Sequence, residues 1–258
     1  MKAVNDAAGI APVEVDRRII DLLLDCRDFY EATSGKVNVC MGSVLHLWHE
    51  ARNDSIDNPA AAYLPDSNAL EEAANHCSME ALVIDEEAST VFLTDPHVRL
   101  DVGAIAKGWS VELVAQMAPK GFLISVGGNV RSTGPKAENT PWVVGVSVPK
   151  DPNGYLHTLY LKEGSLVTSG DYQRYYYVDG KLYHHIIDPE TRYPSEYWSS
   201  VTIVCRDSGL ADALSPALFL MDRERGQALL DRFDAEALWV DREGNLYYSP
   251  GFQDLIRT

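Results

Sequence analysis

Apolar residues first recur at helical spacing between Ile19 and Tyr30, where Ile19, Ile20, Leu22, Leu23, Cys26, Phe29 and Tyr30 trace one stripe. Asp16 stands where an N-cap belongs and Gly35 where a helix closes, so the pattern predicts a helix running to about Thr33. A polar, proline-punctuated stretch over 53–68 follows, then a short helix over 69–77 and short strands over 81–84 and 90–93. Residues 104–118 read as another helix, and 122–126 as a compact apolar strand ending in Gly127-Gly128-Asn129. From Trp142 onward strand patterns crowd together: WVVGVSV, YLHTLYL, SLVTS, RYYYV, KLYHHII and SSVTIVC, separated by Gly, Pro, Asp and Asn turns. Helical spacing returns over 211–221 and 224–233, and the strands EALWV and NLYYS close the chain. Helices and strands come in blocks without a βαβ rhythm, which predicts an α+β fold with largely antiparallel sheets and flanking helices.

The 258 residues suffice for one large domain or two small ones. With 22 basic and 38 acidic residues the net charge is −16, and no Lys/Arg-rich run offsets it, which disfavours a nucleic-acid partner. The same field makes a divalent cation the expected companion of any anionic cofactor held near carboxylates. Cys26, Cys40, Cys77 and Cys205 show neither C-x-x-C nor zinc-ligand spacing and read as mostly buried, reduced thiols. The first sixteen residues lack an apolar signal core, and no run approaches the roughly 18 apolar residues of a membrane span, so a soluble chain without a transmembrane segment is expected.

Chemistry is most concentrated in KLYHHIIDPETRYP, residues 181–194. Read as a strand, it puts His185 on one face with Tyr183 and Ile187, and His184 and Asp188 on the other with Ile186. An imidazole that titrates near neutrality is a ready general base, although two ordinary strand histidines satisfy the same pattern. LDVGAIAKGWS brackets Lys107 with Gly103 and Gly108 at a loop-to-helix junction, where free N–H groups attract anions; a packing role for the glycines is the plainer alternative. SVGGN and VTSGDYQRYY set glycines, hydroxyls and Asp171 at strand breaks, either as ligand contacts or as plain turns.

Asp212 in GLADALSPALFLMD lies within an apolar helical run, where a carboxylate is costly unless paired or bound to a metal. Ser215, three residues on, is spaced to offer an oxygen to the same ion. Pro216 disturbs that helix unless Ser215 is an N-cap and Pro216 the first helical residue. HLWHE spaces His46 and His49 at i and i+3, does not match H-E-x-x-H, and reads as a surface pair beside Trp48.

In their order along the chain, VNVCMGSVLHLW, LDVGAIAKG, SVGGNVRSTG, VTSGDYQRYY, HHIIDPETRYP and ADALSPALF resemble the FAD:protein FMN transferase (ApbE-like) family. The resemblance implies a two-lobed α+β fold and a single flavin-transferase domain over residues 1–258. It also implies shortening at the amino terminus, since a strand, a helix and a serine/tyrosine loop precede the VNDAAG segment in the family. The implied activity is Mg²⁺-dependent transfer of FMN from FAD to a threonine or serine hydroxyl of an acceptor flavoprotein. The alternatives are an FAD pyrophosphatase giving FMN and AMP, or a non-catalytic FAD-binding protein. By motif position, Asn38, Val39, Cys40, Lys107 and Ile187 fall at FAD, the Ala104 carbonyl with Asp212 and Ser215 at Mg²⁺, and His185 at the general base, with His184 in a supporting or surface role. Two departures stand out: Pro216 where the family commonly has threonine, and Arg192 where DPxTGxP has glycine. The family also suggests an extracytoplasmic location.

Overall fold

The chain opens with α1 (Lys2–Asp6) and β1 (Val13–Glu14), followed by the amphipathic helix α2 (Arg17–Ala32). Asp16 is its N-cap, accepting the Arg18 N–H at 2.9 Å, and Ile20, Leu22, Leu23 and Cys26 are its buried stripe. Next comes α3 (Gly42–Asp57), a helix that periodicity did not predict. Its polar tail over 53–57 extends into the stretch expected as loop, because burial of Val44, Trp48 and Ala51 stabilises the helix where local pattern does not. After α4 (Ser67–Ala74) come β2 (Leu82–Asp85) and β3 (Thr90–Leu93), which with β1 form an antiparallel sheet in the order β1-β3-β2.

The chain continues through α5 (Ala106–Met117), β4 (Leu123–Val126), β5 (Asn129–Ser132), β6 (Trp142–Val148), β7 (Asp151–Leu161) and β8 (Gly164–Gly170). A hairpin follows, β9 (Tyr175–Val178) and β10 (Lys181–His184), and then β11 (Ser200–Cys205), α6 (Ser208–Phe219), α7 (Arg223–Leu230), β12 (Ala235–Val240) and β13 (Leu246–Tyr248). The computed structural model describes residues 1–149 and 151–257. It divides into two compact units, Met1–Gly103 with Arg174–Pro194, and Ala104–Gln173 with Ser195–Thr258. Helices and antiparallel sheets are mixed in both, as an α+β fold requires.

In the first unit, Met41, Val44, Trp48, Ala51 and Leu70 pack with Tyr176 of β9 and Ile187 beyond β10. The second unit is built on an antiparallel six-stranded sheet in the order β13-β12-β11-β8-β5-β4. Helix α6 lies on β8 and β11 and is buried along nearly its whole length. Leu214, Leu218 and Phe219 are fully enclosed, each stabilising the fold by about 1.5–3 kcal/mol. The β6–β7 ribbon contributes Val144, Val146, Leu159 and Leu161 to a second cluster with Leu166, Leu238, Val240 and Phe252.

Helix α6 runs straight through Pro216, which overturns the alternative that Ser215 caps a new helix. Proline has no N–H for the carbonyl four residues back. That carbonyl belongs to Asp212, and the Ser215 hydroxyl donates to it at 3.4 Å.

Helices α5 and α6 meet at Gly108. A Cβ there would lie 2.2 Å from the Ser208 carbonyl oxygen and 2.4 Å from the Asp212 Cβ, so only glycine permits this approach. Gly108→Ala is expected to cost roughly 3 kcal/mol through overpacking against backbone. Gly128, where a Cβ would meet nothing within 4 Å but φ is +92°, should cost only about 1–2 kcal/mol as alanine. Urea midpoints of the two variants test the ranking, and equal losses would contradict it.

Candidate functional site

In the second unit the site is organised by Asp212. The carboxylate is buried: Oδ2 accepts the Gly108 N–H at 2.7 Å, and Oδ1 lies 3.7 Å from the Lys107 ammonium. Burial raises its pKa above the ordinary carboxylate value, opposed by Lys107, the Gly108 N–H and the Asn129 amide beside it. Lys107 is half-exposed on the first turn of α5, and Ala104 is exposed just ahead of it. Gly103 shows the anion-attracting N–H pattern turned inward, donating to Asp101 Oδ1 at 2.8 Å. Ser215 is fully buried, its hydroxyl 2.8 Å from that of Ser169 on β8.

This frame is tied by a pair that the sequence did not reveal. Arg131 on β5 grips Glu112 on α5 with two bonds of 2.8 and 3.1 Å, and Glu112 also accepts the Ser208 N–H at 2.9 Å, capping α6. Burial pushes the Glu112 pKa up, but Arg131 and the Ser208 N–H outweigh it and hold the group low.

The donors around Asp212 fit a magnesium ion in part. The Asp212 carboxylate is the hard anionic oxygen such an ion takes, and a buried carboxylate with a raised pKa is what a cation relieves, while the Ser215 hydroxyl is already engaged by Ser169 and the Asp212 carbonyl. Among the described residues no three or more His, Cys, Asp or Glu side chains are grouped to hold a metal by themselves. The remaining ligands would be water and substrate phosphate oxygens, as magnesium commonly prefers.

The first unit holds the histidines. Strand β10 ends at His184, and Ile186, Ile187 and Asp188 are all buried in succession, so the expected alternation of faces over 181–188 does not occur. Of the supporting and surface roles open to His184, burial excludes the surface one: it is 6% exposed, and its Nδ1 accepts the Ile186 N–H at 3.2 Å. His185 is less enclosed as a residue, yet its Nδ1 is buried with no hydrogen-bond partner among the described residues. Desolvation, then the charges of His184 and Arg174, push its pKa down to about 3. Both line a small recess with His49 and Arg52, walled by Leu45, Trp48, Tyr176 and Tyr183. His49 is therefore not the surface residue that HLWHE suggested, whereas His46 is exposed and pairs with Glu50 at 3.3 Å.

The turn after the histidines is anchored by Lys36, which sequence reading passed over. Its ammonium is buried and bonds both Asp188 oxygens at 3.0 and 3.2 Å and Glu190 at 2.9 Å. Arg192 adopts φ +64°, the left-handed conformation that the glycine of DPxTGxP would take without strain, while its carbonyl accepts the Trp48 indole N–H at 2.9 Å. Two residues beyond Lys36, the Asn38 amide is committed to the Cys77 carbonyl at 2.8 Å and the Cys40 N–H at 2.8 Å. Val39, Cys40 and Ile187 are buried, and burial raises the Cys40 thiol to about 12, making it inert. All four cysteines are free thiols, Cys77 being the least enclosed.

Comparison with known proteins gives these features a class. Relatives named FAD:protein FMN transferase include one from Treponema pallidum, 34% identical over 100% of this chain and 75% of its own length. Another, from Klebsiella pneumoniae, is 31% identical over 95% of this chain and 76% of its own. Among solved structures, the ApbE protein of Thermotoga maritima superposes with a TM-score of 0.89 at 34% identity, covering 100% of this chain and 83% of that one. The Vibrio cholerae flavin transferase ApbE gives 0.80 at 25% identity, covering 97% and 81%. The ApbE family profile matches residues 1–239, and the chain belongs to the ApbE family. Among the described residues no helix is long and apolar enough to cross a membrane.

Two measurements follow. Arg192→Gly relieves the left-handed backbone at some entropic cost in the unfolded chain and should stabilise the protein by about 0.5–1 kcal/mol, read from urea unfolding; a loss of stability would contradict the strain. For His185, a folded pKa of about 3 lies below the unfolded 6.5, so the unfolded chain binds more protons between these values. Stability should therefore fall as pH drops through that window, and His185→Leu should flatten the fall; identical pH profiles would show that His185 is not held neutral.

Proposed function

We propose that this protein is a Mg²⁺-dependent flavin transferase that moves FMN from FAD to a threonine or serine hydroxyl of an acceptor flavoprotein. Family membership over most of the chain supports the reaction class, since relatives carry the name FAD:protein FMN transferase. The observation that carries it is the buried Asp212 carboxylate held between the Gly108 N–H and the Lys107 ammonium, a combination suited to a cation and a diphosphate together.

In this reaction the acceptor hydroxyl oxygen bonds to the phosphorus on the FMN side of the diphosphate. The P–O bond to the AMP phosphate breaks, AMP leaves, and the hydroxyl proton passes to His185. Lys107 offsets charge on the diphosphate oxygens. Asp212, the Ala104 carbonyl and Ser215 would hold Mg²⁺, which when bound neutralises the same oxygens. With its pKa pushed down to about 3 by burial, His185 is neutral but a weak base in the free chain, and the base role requires an anionic substrate beside it to raise that value. Val39, Cys40 and Ile187 have side chains committed to the interior, so their part in binding FAD falls to main-chain atoms, and the Asn38 amide shapes that turn. On this reading residues 1–258 are a single flavin-transferase domain.

Incubation with FAD, Mg²⁺ and a threonine-bearing acceptor domain is expected to release AMP and add FMN covalently to the acceptor, followed by chromatography and mass spectrometry. Asp212→Ala should abolish both. AMP without acceptor labelling would favour hydrolysis to FMN and AMP, and FAD retained with neither product would favour a binding protein.

A further inference from the structure

Asn129 is the first residue of β5, directly after Gly127 and Gly128, whose φ values are +53° and +92°. Its side chain is 0% exposed, and both Nδ2 and Oδ1 lack a hydrogen-bond partner among the described residues. A buried amide with both ends unpaired destabilises the fold, and native structures contain few of them. A leucine fills a similar volume at no such cost, so packing alone gives no reason for asparagine here. Strand β5 lies against both α5 and α6. The amide stands beside Asp212 and helps to lower its pKa, yet its geometry falls short of a formed hydrogen bond, while the Lys107 stem passes 3.5 Å from where a Gly127 Cβ would be.

We propose that Asn129 is a positioning residue of the cation site: in the loaded protein its Nδ2 donates to the Asp212 carboxylate and turns Oδ1 of that carboxylate toward the metal. This role rests on the reading of Asp212 as the magnesium ligand. Oδ2 of Asp212 is already fixed by the Gly108 N–H, which leaves rotation about that bond as the freedom a second donor removes. Outer partners of this kind commonly change metal affinity 10–100-fold when deleted. The amide's unmet hydrogen-bonding capacity is thus kept for the bound state.

The test is Asn129→Leu, with Mn²⁺ as the probe, titrated in the presence of FAD and without acceptor, and followed by its electron paramagnetic resonance signal. The expected result is a thermal midpoint at or above the parent's together with an Mn²⁺ midpoint roughly tenfold higher. A merely structural asparagine would leave the Mn²⁺ midpoint unmoved, and a folded variant with the parent's midpoint overturns the proposal. Should the leucine variant not fold, Asn129→Ala is judged by the same criterion. A parent protein that binds no Mn²⁺ and releases no AMP from FAD would overturn the functional reading and this role together, whereas a competent parent with an unmoved variant overturns this role alone.

Discussion

Helix α5 reaches α6 closely enough to share a hydrogen bond only because residue 108 has no side chain. From that approach follow the burial of Asp212, the placement of Lys107 beside it, and the seating of the α6 amino terminus on Glu112. Glu112 and Arg131 act as the brace. Deleting one partner of such a buried pair typically costs about 3–5 kcal/mol, because the other charge is left unpaired. The chemistry assigned to the second unit therefore hangs on a steric allowance of one missing methyl group.

The first unit solves a different problem, holding an irregular turn rigid without a regular ladder. Lys36 does so from a distant loop by gripping Asp188, and the Trp48 indole fixes the far side through the Arg192 carbonyl. A lysine enclosed this fully is rare unless paired. Within that turn the chain accepts a strained arginine, Arg192, which the surrounding bonds over-determine.

Periodic elements were legible from sequence: α2, the hairpin β2–β3 and the antiparallel strands all lie within a few residues of where apolar spacing put them. Elements that owe their form to packing were not. The polar tail of α3 reads as loop, and β10 stops before Ile186 because three successive residues turn inward. Among the site residues, Asp212 was legible because a carboxylate in an apolar run demands a partner. Lys36, Glu112, Arg131 and the side chain of Asn129 were not, since a charged or amide residue in a loop or on a helix looks solvated until its long-range partner is known. The same holds for His184, whose burial depends on the turn after it.

The interleaving of the units has a consequence for biosynthesis. The segment Met1–Gly103 is finished only by Arg174–Pro194, which lies beyond most of the other unit's strands, and that other unit in turn awaits β12 and β13. A ribosome releasing the chain from its amino terminus therefore exposes the apolar faces of both units before either can close.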